Sequence, residues 1–206
     1  MQSAIAEAKQ RLLAGEVIAF PTETVFGLGA DPRNIEAIKK LLKCKSRNVG
    51  EGFPCLLSQS QLFFKYIDVS TEYLEKIDDL IAKHWPGPLT LVGNASEFAL
   101  QTLVPECLGP NQTLALRYSP HPFASLLADC VGGVLPATSA NEHGKPAANS
   151  KKEVLEYFPD MFCLELSDSI NQGSLPSTIL SIAKYPFTVL RSGAVDLENC
   201  SDVIYT

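Results

Sequence analysis

Three observations predict an α/β fold. Short apolar runs of strand length recur at 17–20, 54–58, 89–92, 113–117, 134–138, 177–181 and 188–194. Segments with apolar residues at helical spacing alternate with them, several opened by a capping residue. The 206 residues are 46% hydrophobic and 19% charged, a globular balance that fits one domain over 1–206 with room for a sizeable core.

Residues 3–14 read as a helix, with Ser3 as its cap, Ile5, Ala8, Leu12 and Leu13 on its apolar face, and Gly15 as its stop. Val17-Ile18-Ala19-Phe20 is a buried strand, and Pro21, with no N–H to donate, ends it or marks an edge. Thr22 and Thr24 are two apart, so extended backbone projects both to one side. Gly27 and Gly29, also two apart, either leave a groove open to a ligand or serve as turn residues of a hairpin. After the turn at Asp31-Pro32, Asn34 caps a helix to residue 44, with Ile35, Ile38, Leu41 and Leu42 inward. Lys39, Lys40 and Lys43 suit a solvated face near the helix C-terminus. Lys45 and Arg47 lie beyond that end with one residue between them. They either decorate the surface or converge on an anion.

Residues 59–66 suggest a short helix. Ser70 or Thr71 opens a longer one to His84, with Tyr73, Leu74, Ile77, Leu80 and Ile81 inward. Trp85-Pro86-Gly87-Pro88 breaks it, and the lone Trp suits a packed core better than an adenine-stacking platform. Arg117 ends the strand 113–117, where a cation needs a carboxylate from an internal Asp or Glu or from a ligand. His121, set between prolines, reads as the cap of a helix at 122–130 rather than a general base. Past Gly132-Gly133, the strand 134–138 runs into Ser139-Ala140-Asn141, whose polar residues are loop caps or ligand contacts. A helix at 150–158, a strand at 162–166 leading to Asp168, and a loop at 173–177 follow. Arg191, on the last strand, forms a surface salt bridge or meets a ligand.

The run Phe20-Pro21-Thr22-Glu23-Thr24-Val25-Phe26-Gly27-Leu28-Gly29 closely resembles the signature of the YrdC-like family. Lys45-Ser46-Arg47 is similar to that family's Lys-x-Arg motif, and Arg117 through His121-Pro122 to its Arg-x-x-x-His-Pro segment. Ser139-Ala140-Asn141, Ser177-Thr178-Ile179 and Arg191-Ser192-Gly193 also resemble family motifs, so the likeness covers most of the chain. It implies a YrdC-like twisted open mixed sheet with flanking helices and a large concave cleft. It also implies roles. Lys45 and Arg47 would be the catalytic cations at the ATP phosphates, with Thr113, Ser139, Asn141 and Arg191 completing the ATP site. Thr24, Arg117 and Ser177 would bind L-threonine, Arg117 through its carboxylate, a task suited to a guanidinium fork. Gly50-Glu51-Gly52-Phe53-Pro54 departs from the pattern. Many members carry Asn or Lys where Glu51 stands and some carry His where Leu56 stands, so no ligand role carries over to those two.

Bacterial members are typically threonylcarbamoyl-AMP synthases. The resemblance therefore implies that L-threonine, bicarbonate or CO2, and ATP give L-threonylcarbamoyladenylate and pyrophosphate. That product serves N6-threonylcarbamoyladenosine formation at position 37 of tRNAs. Strand ends bearing hydroxyls and cations suit an anionic substrate and offer neither a carboxylate pair nor a metal-ligand cluster. Mg2+ would arrive with ATP, without a dedicated protein site. The chain stops soon after Gly193, which places it with single-domain bacterial members that pass their product to separate threonylcarbamoyl-transferase proteins. Contact with tRNA is a further expectation. A net charge of −6 argues against a nonspecific nucleic-acid coat. Glu7, Lys9 and Arg11 interrupt any leader-like apolar region, and no apolar run reaches the roughly 20 residues of a membrane helix. A cytoplasmic protein with no membrane partner follows. The six cysteines are scattered without a Cys-x-x-Cys pair, which fits reduced thiols. Two other readings stand beside the synthase: an RNA-binding module of the same fold, and a YciO-type relative with another activity. Acidic composition counts against the first and the intact motif set against the second.

Overall fold

A computed structural model describes residues 2–46, 48–164 and 175–205. The described strands are β1 (Ile18–Pro21), β2 (Phe26–Gly29), β3 (Pro54–Leu57), β4 (Ile67–Asp68), β5 (Leu89–Ala95), β6 (Thr113–Arg117), β7 (Val134–Ser139), β8 (Phe162–Cys163), β9 (Thr178–Ser181), β10 (Phe187–Arg191) and β11 (Val203–Tyr205). The described α-helices are α1 (Gln2–Leu13), α2 (Ile35–Cys44), α3 (Phe63–Tyr66), α4 (Leu74–His84), α5 (Glu97–Thr102), α6 (Pro122–Cys130) and α7 (Lys151–Tyr157). The strands join in one mixed sheet of order β11-β10-β9-β5-β6-β3-β7-β2-β1-β8, with β4 paired to β5. β3 runs parallel to β6 and antiparallel to β7, while β5 runs antiparallel to β6 and parallel to β9.

Strand alternation splits the core into two clusters on opposite faces of the sheet. Ala19, Cys55, Leu57, Val134 and Leu180 pack on one face, against α2 and α4. Their neighbours Ile18, Phe20, Leu56 and Leu135 turn to the other, against Ala8 and Leu12 of α1 and Leu127 and Ala128 of α6. Those two helices cover only part of the second face. The remainder, from β2 across to β10, stays open as a concave floor.

Local chemistry sets the helix ends. Asn34 accepts from the N–H groups of Glu36 and Ala37, and Ser150 accepts from Glu153 N–H. His121 Nδ1 accepts from Phe123 N–H, so it caps α6 as expected. Ser3 instead lies inside α1, which begins one residue earlier. Leu13, Ile35 and Leu74 were expected inward but are exposed; each is a terminal residue of its helix, where the buried stripe turns off the sheet. The expected helices 59–66 and 70–84 each begin with a 3-10 turn, at Ser60–Leu62 and Thr71–Tyr73. The strand expected at 162–166 is described only as β8; residues 165–174, including Asp168 and part of the 173–177 loop, lie outside the described residues. β10 ends at Arg191, short of the expected 194. Trp85 is a core aromatic: its ring N–H donates to Leu89 O at 2.6 Å and it meets Phe63 edge-on at 5.6 Å.

Candidate active site

β1 and β2 form a hairpin whose turn carries Thr22-Glu23-Thr24-Val25. Thr22 locks it: its N–H and its hydroxyl both donate to Val25 O, at 3.1 and 2.6 Å, and its Oγ1 accepts from the N–H groups of Thr24 and Val25. The two threonine hydroxyls stand 3.1 Å apart and line a cleft of about 380 Å³, as their spacing predicts. The glycines of this motif lie in β2, not at the turn, and the Phe20 ring packs beside them. A Cβ on Gly29 would stand 2.9 Å from that ring, and one on Gly27 3.4 Å from it. Gly27 lines the cleft, as one of the two expectations has it, whereas the space left by Gly29 is filled by core.

Lys45 follows the C-terminus of α2 and is 5% exposed. Its ammonium donates to Ser139 O (2.9 Å), Asn141 O (2.8 Å) and Asn141 Oδ1 (2.7 Å), at the end of β7. Ser139 Oγ donates to Asn141 Oδ1 at 2.6 Å, and Asn141 Nδ2 ties down the carbonyls of Glu142 and Lys145. Lys45 is therefore tied to the Ser139–Asn141 turn rather than free on the surface. Arg47 lies outside the described residues.

Arg117, at the end of β6, lines the same cleft. Its Nη1 donates to Glu23 Oε1 at 2.5 Å, and Ser119 Oγ donates to Glu23 Oε2 at 2.5 Å. Of the two partners open from sequence, the internal carboxylate is present. Across the cleft, Arg191 Nη2 donates to Ser177 O (2.7 Å) and Ser177 Oγ (3.2 Å), while Ser177 Oγ and Thr90 Oγ1 share a hydrogen bond of 2.9 Å. Gly193 explains the Arg-x-Gly pattern: a Cβ there would fall 2.3 Å from Pro176 O, so only glycine lets the two segments meet. Arg191 has no surface salt bridge among the described residues. Its guanidinium is held below its ordinary value, first by burial and then by repulsion from Arg117. Two cations thus feel each other across the cleft, which favours an anion between them.

The structure brings Thr24, Arg117, Ser139, Ser177 and Arg191 to one cleft, with Lys45 and Asn141 directly behind Ser139. Thr113 shares the concave face but lines an adjoining groove of about 590 Å³ that meets the cleft at Pro54. Its hydroxyl donates to Pro110 O. Glu51 lines the adjoining groove and Leu56 lines the cleft. Glu51 accepts from Asn48 in a turn, and Leu56 packs with the core beneath α6. Sequence reasoning passed over Glu23, Ser119 and Thr90. Glu23 stood in the motif, but nothing local linked it to an arginine 94 positions away. Among the described residues no group of three or more His, Cys, Asp or Glu could hold a metal ion, and no helix is long and apolar enough to cross a membrane. Burial pushes the Cys107 thiol up to about 12 and raises Cys55 well above its ordinary value.

A twisted mixed sheet with cations and hydroxyls at its open strand ends defines a nucleotide-scale anion cleft. The family model Sua5/YciO/YrdC, described as "Telomere recombination", matches residues 10–193, and the chain belongs to that family. A threonylcarbamoyl-AMP synthase of Pseudomonas fluorescens (strain Pf-5) is 37% identical over 182 residues, covering 87% of this chain and 92% of that protein. One from Vibrio campbellii is 36% identical, covering 82% and 88%. The crystal structure of P. abyssi Sua5 complexed with L-threonine superposes with a TM-score of 0.85 at 28% identity, over 98% of this chain and 58% of that longer one. E. coli YciO shares the fold, with a TM-score of 0.79 at 19% identity over 96% of this chain and 93% of YciO.

Proposed function

We propose that this chain is an ATP-dependent threonylcarbamoyl-AMP synthase, acting as one domain over 1–206 in the cytoplasm. The carrying observation is the convergence of Arg117, Arg191 and the Lys45-bound Ser139–Asn141 turn on one cleft that also presents Thr24 and Ser177. The amine of L-threonine adds to CO2, forming an N–C bond and releasing a proton to bicarbonate or water. A carbamate oxygen then attacks the α-phosphate of ATP, the bond to the β-phosphate oxygen breaks, and pyrophosphate leaves with the electron pair. Both nucleophile and leaving group come from the substrates, so the protein orients them and spreads developing charge.

In this reading Arg117 holds the threonine carboxylate, and Thr24 and Ser177 position the amino acid. Arg191, Ser139, Asn141 and Thr113 hold the nucleotide, with Lys45 and Arg47 at the phosphates. Magnesium would accompany ATP and screen its phosphate charge; among the described residues no group of three or more His, Cys, Asp or Glu is placed to hold it. The product passes to separate threonylcarbamoyl-transferase proteins that modify tRNA.

The test is pyrophosphate release from ATP and bicarbonate by the purified chain, with and without L-threonine, in wild type, Lys45→Ala and Arg117→Ala. Threonine-dependent release that is lost in both variants is expected. No threonine dependence in wild type, with RNA binding intact, would replace the synthase by a binding module.

A further inference from the structure

We infer that Glu23 is a positioning residue that sets the threonine site by latching Arg117 to the hairpin turn. The inference rests on the synthase reading above. Glu23 sits between Thr22 and Thr24 in the turn and is not among the residues that line their cleft. Both carboxylate oxygens are committed to the protein: Oε1 to Arg117 Nη1 and Oε2 to the Ser119 hydroxyl, each at 2.5 Å. Ser119 is 2% exposed and its Oγ also accepts from His121 N–H at 3.1 Å, which anchors the far end of the latch at the cap of α6. The Arg117 and Glu23 side chains are only 11% and 19% exposed, so the pair is poorly screened and geometrically fixed.

The consequence is a division of the guanidinium. One terminal nitrogen is spent on Glu23. Among the described residues, no other hydrogen bond to Arg117 is present, so Nε and Nη2 are left for a ligand at the cleft. The same carboxylate ties the turn that carries the Thr24 hydroxyl to the end of β6. Thr24 and Arg117, which come from strands separated in the sheet by β7 and β3, are thereby held at a fixed spacing. A carboxylate that merely occupied the substrate's place would line the cleft, and Glu23 is not among its lining residues.

Glu23→Gln keeps shape and removes the charge; Ser119→Ala removes the second arm alone. The measurements are L-threonine and ATP binding by titration calorimetry, and the KM and kcat of threonine-dependent pyrophosphate release. Expected for Glu23→Gln is a threonine Kd and KM raised about tenfold, since one charge-assisted contact orients the fork. ATP affinity should hold within about twofold and kcat within about threefold. Ser119→Ala should shift threonine in the same direction by a smaller factor, and carries the test should the glutamine variant not fold. Unchanged threonine binding in both variants would overturn the inference. So would tighter binding, which would make Glu23 a mimic of the substrate carboxylate, and so would equal losses for threonine and ATP. Failure of the synthase reading is distinct: wild type would then show no threonine-dependent release at all.

Discussion

Lys45→Met keeps the length of the side chain and removes its charge and its three N–H donors. The Asn141 carbonyl, which accepts at 2.8 Å, loses that donor, whereas Ser139 O keeps Asn141 N–H at 3.0 Å and Asn141 Oδ1 keeps the Ser139 hydroxyl at 2.6 Å. A buried acceptor left without a partner costs about 1–3 kcal/mol. Removing an ammonium from a site that is 5% exposed recovers desolvation of similar size. The two terms leave a net change within about 1 kcal/mol. For a chain of this size that moves the melting temperature by less than about 4 °C. Pyrophosphate release should fall by about 10²–10³, because the positive charge behind the Ser139–Asn141 turn is withdrawn from the proposed phosphate end. Calorimetric melting without ligand, together with the pyrophosphate assay, measures both. A melting temperature lowered by more than about 8 °C would refute that balance. Retained activity would remove Lys45 from the phosphates.

Gly29→Ala should destabilise by about 1–3 kcal/mol, because its Cβ would stand 2.9 Å from the buried Phe20 ring and 3.3 Å from Leu135. A urea midpoint equal to wild type would show that Phe20 has room to move. The cap at His121 gives a pH signature. Burial holds His121 below its ordinary value, while the nearby Glu23 opposes that shift. The native state therefore favours the neutral ring, whose Nδ1 accepts from Phe123 N–H. Its contribution is intact above the unfolded value of about 6.5 and is lost as pH falls through the lower folded value. Wild type should thus lose more stability than His121→Asn between about pH 7 and pH 5. Urea midpoints that run parallel across that range would refute the assignment.

What the sequence made legible was local. Asn34 and His121 cap as read because a cap is decided within three residues. Thr22 and Thr24 share a side as read, though the hairpin turn and not an extended strand brings them together. The site roles and the sheet came from the resemblance, since no local pattern carries strand order. Contacts between distant segments were closed to reading: Lys45 with Ser139, and Arg117 with Glu23, are each 94 positions apart. Gly29 misled for a related reason. A missing side chain opens space on one face, and only the register of Phe20 opposite Gly27 shows what fills it. Leu13, Ile35 and Leu74 fit the helical period yet sit at helix ends, where period alone does not bury a residue.

The cations of the cleft differ in how the protein holds them, and in the proposed function that difference would sort the substrates. Arg191 is held by neutral oxygens of Ser177, and Lys45 donates to oxygens of Ser139 and Asn141. In the proposed function, a cation on a neutral partner such as Ser177 suits a polyanion such as a triphosphate. Arg117 is held by a carboxylate, so the pair it forms with Glu23 is close to neutral and offers directed N–H groups more than field. A single carboxylate on a zwitterionic amino acid needs that directed recognition, and a bare extra cation there would draw phosphate into the wrong half of the cleft. The repulsion Arg191 feels from Arg117 shows how close the two halves lie. Glu23 keeps that closeness from becoming one undivided anion site in a chain whose net charge is −6.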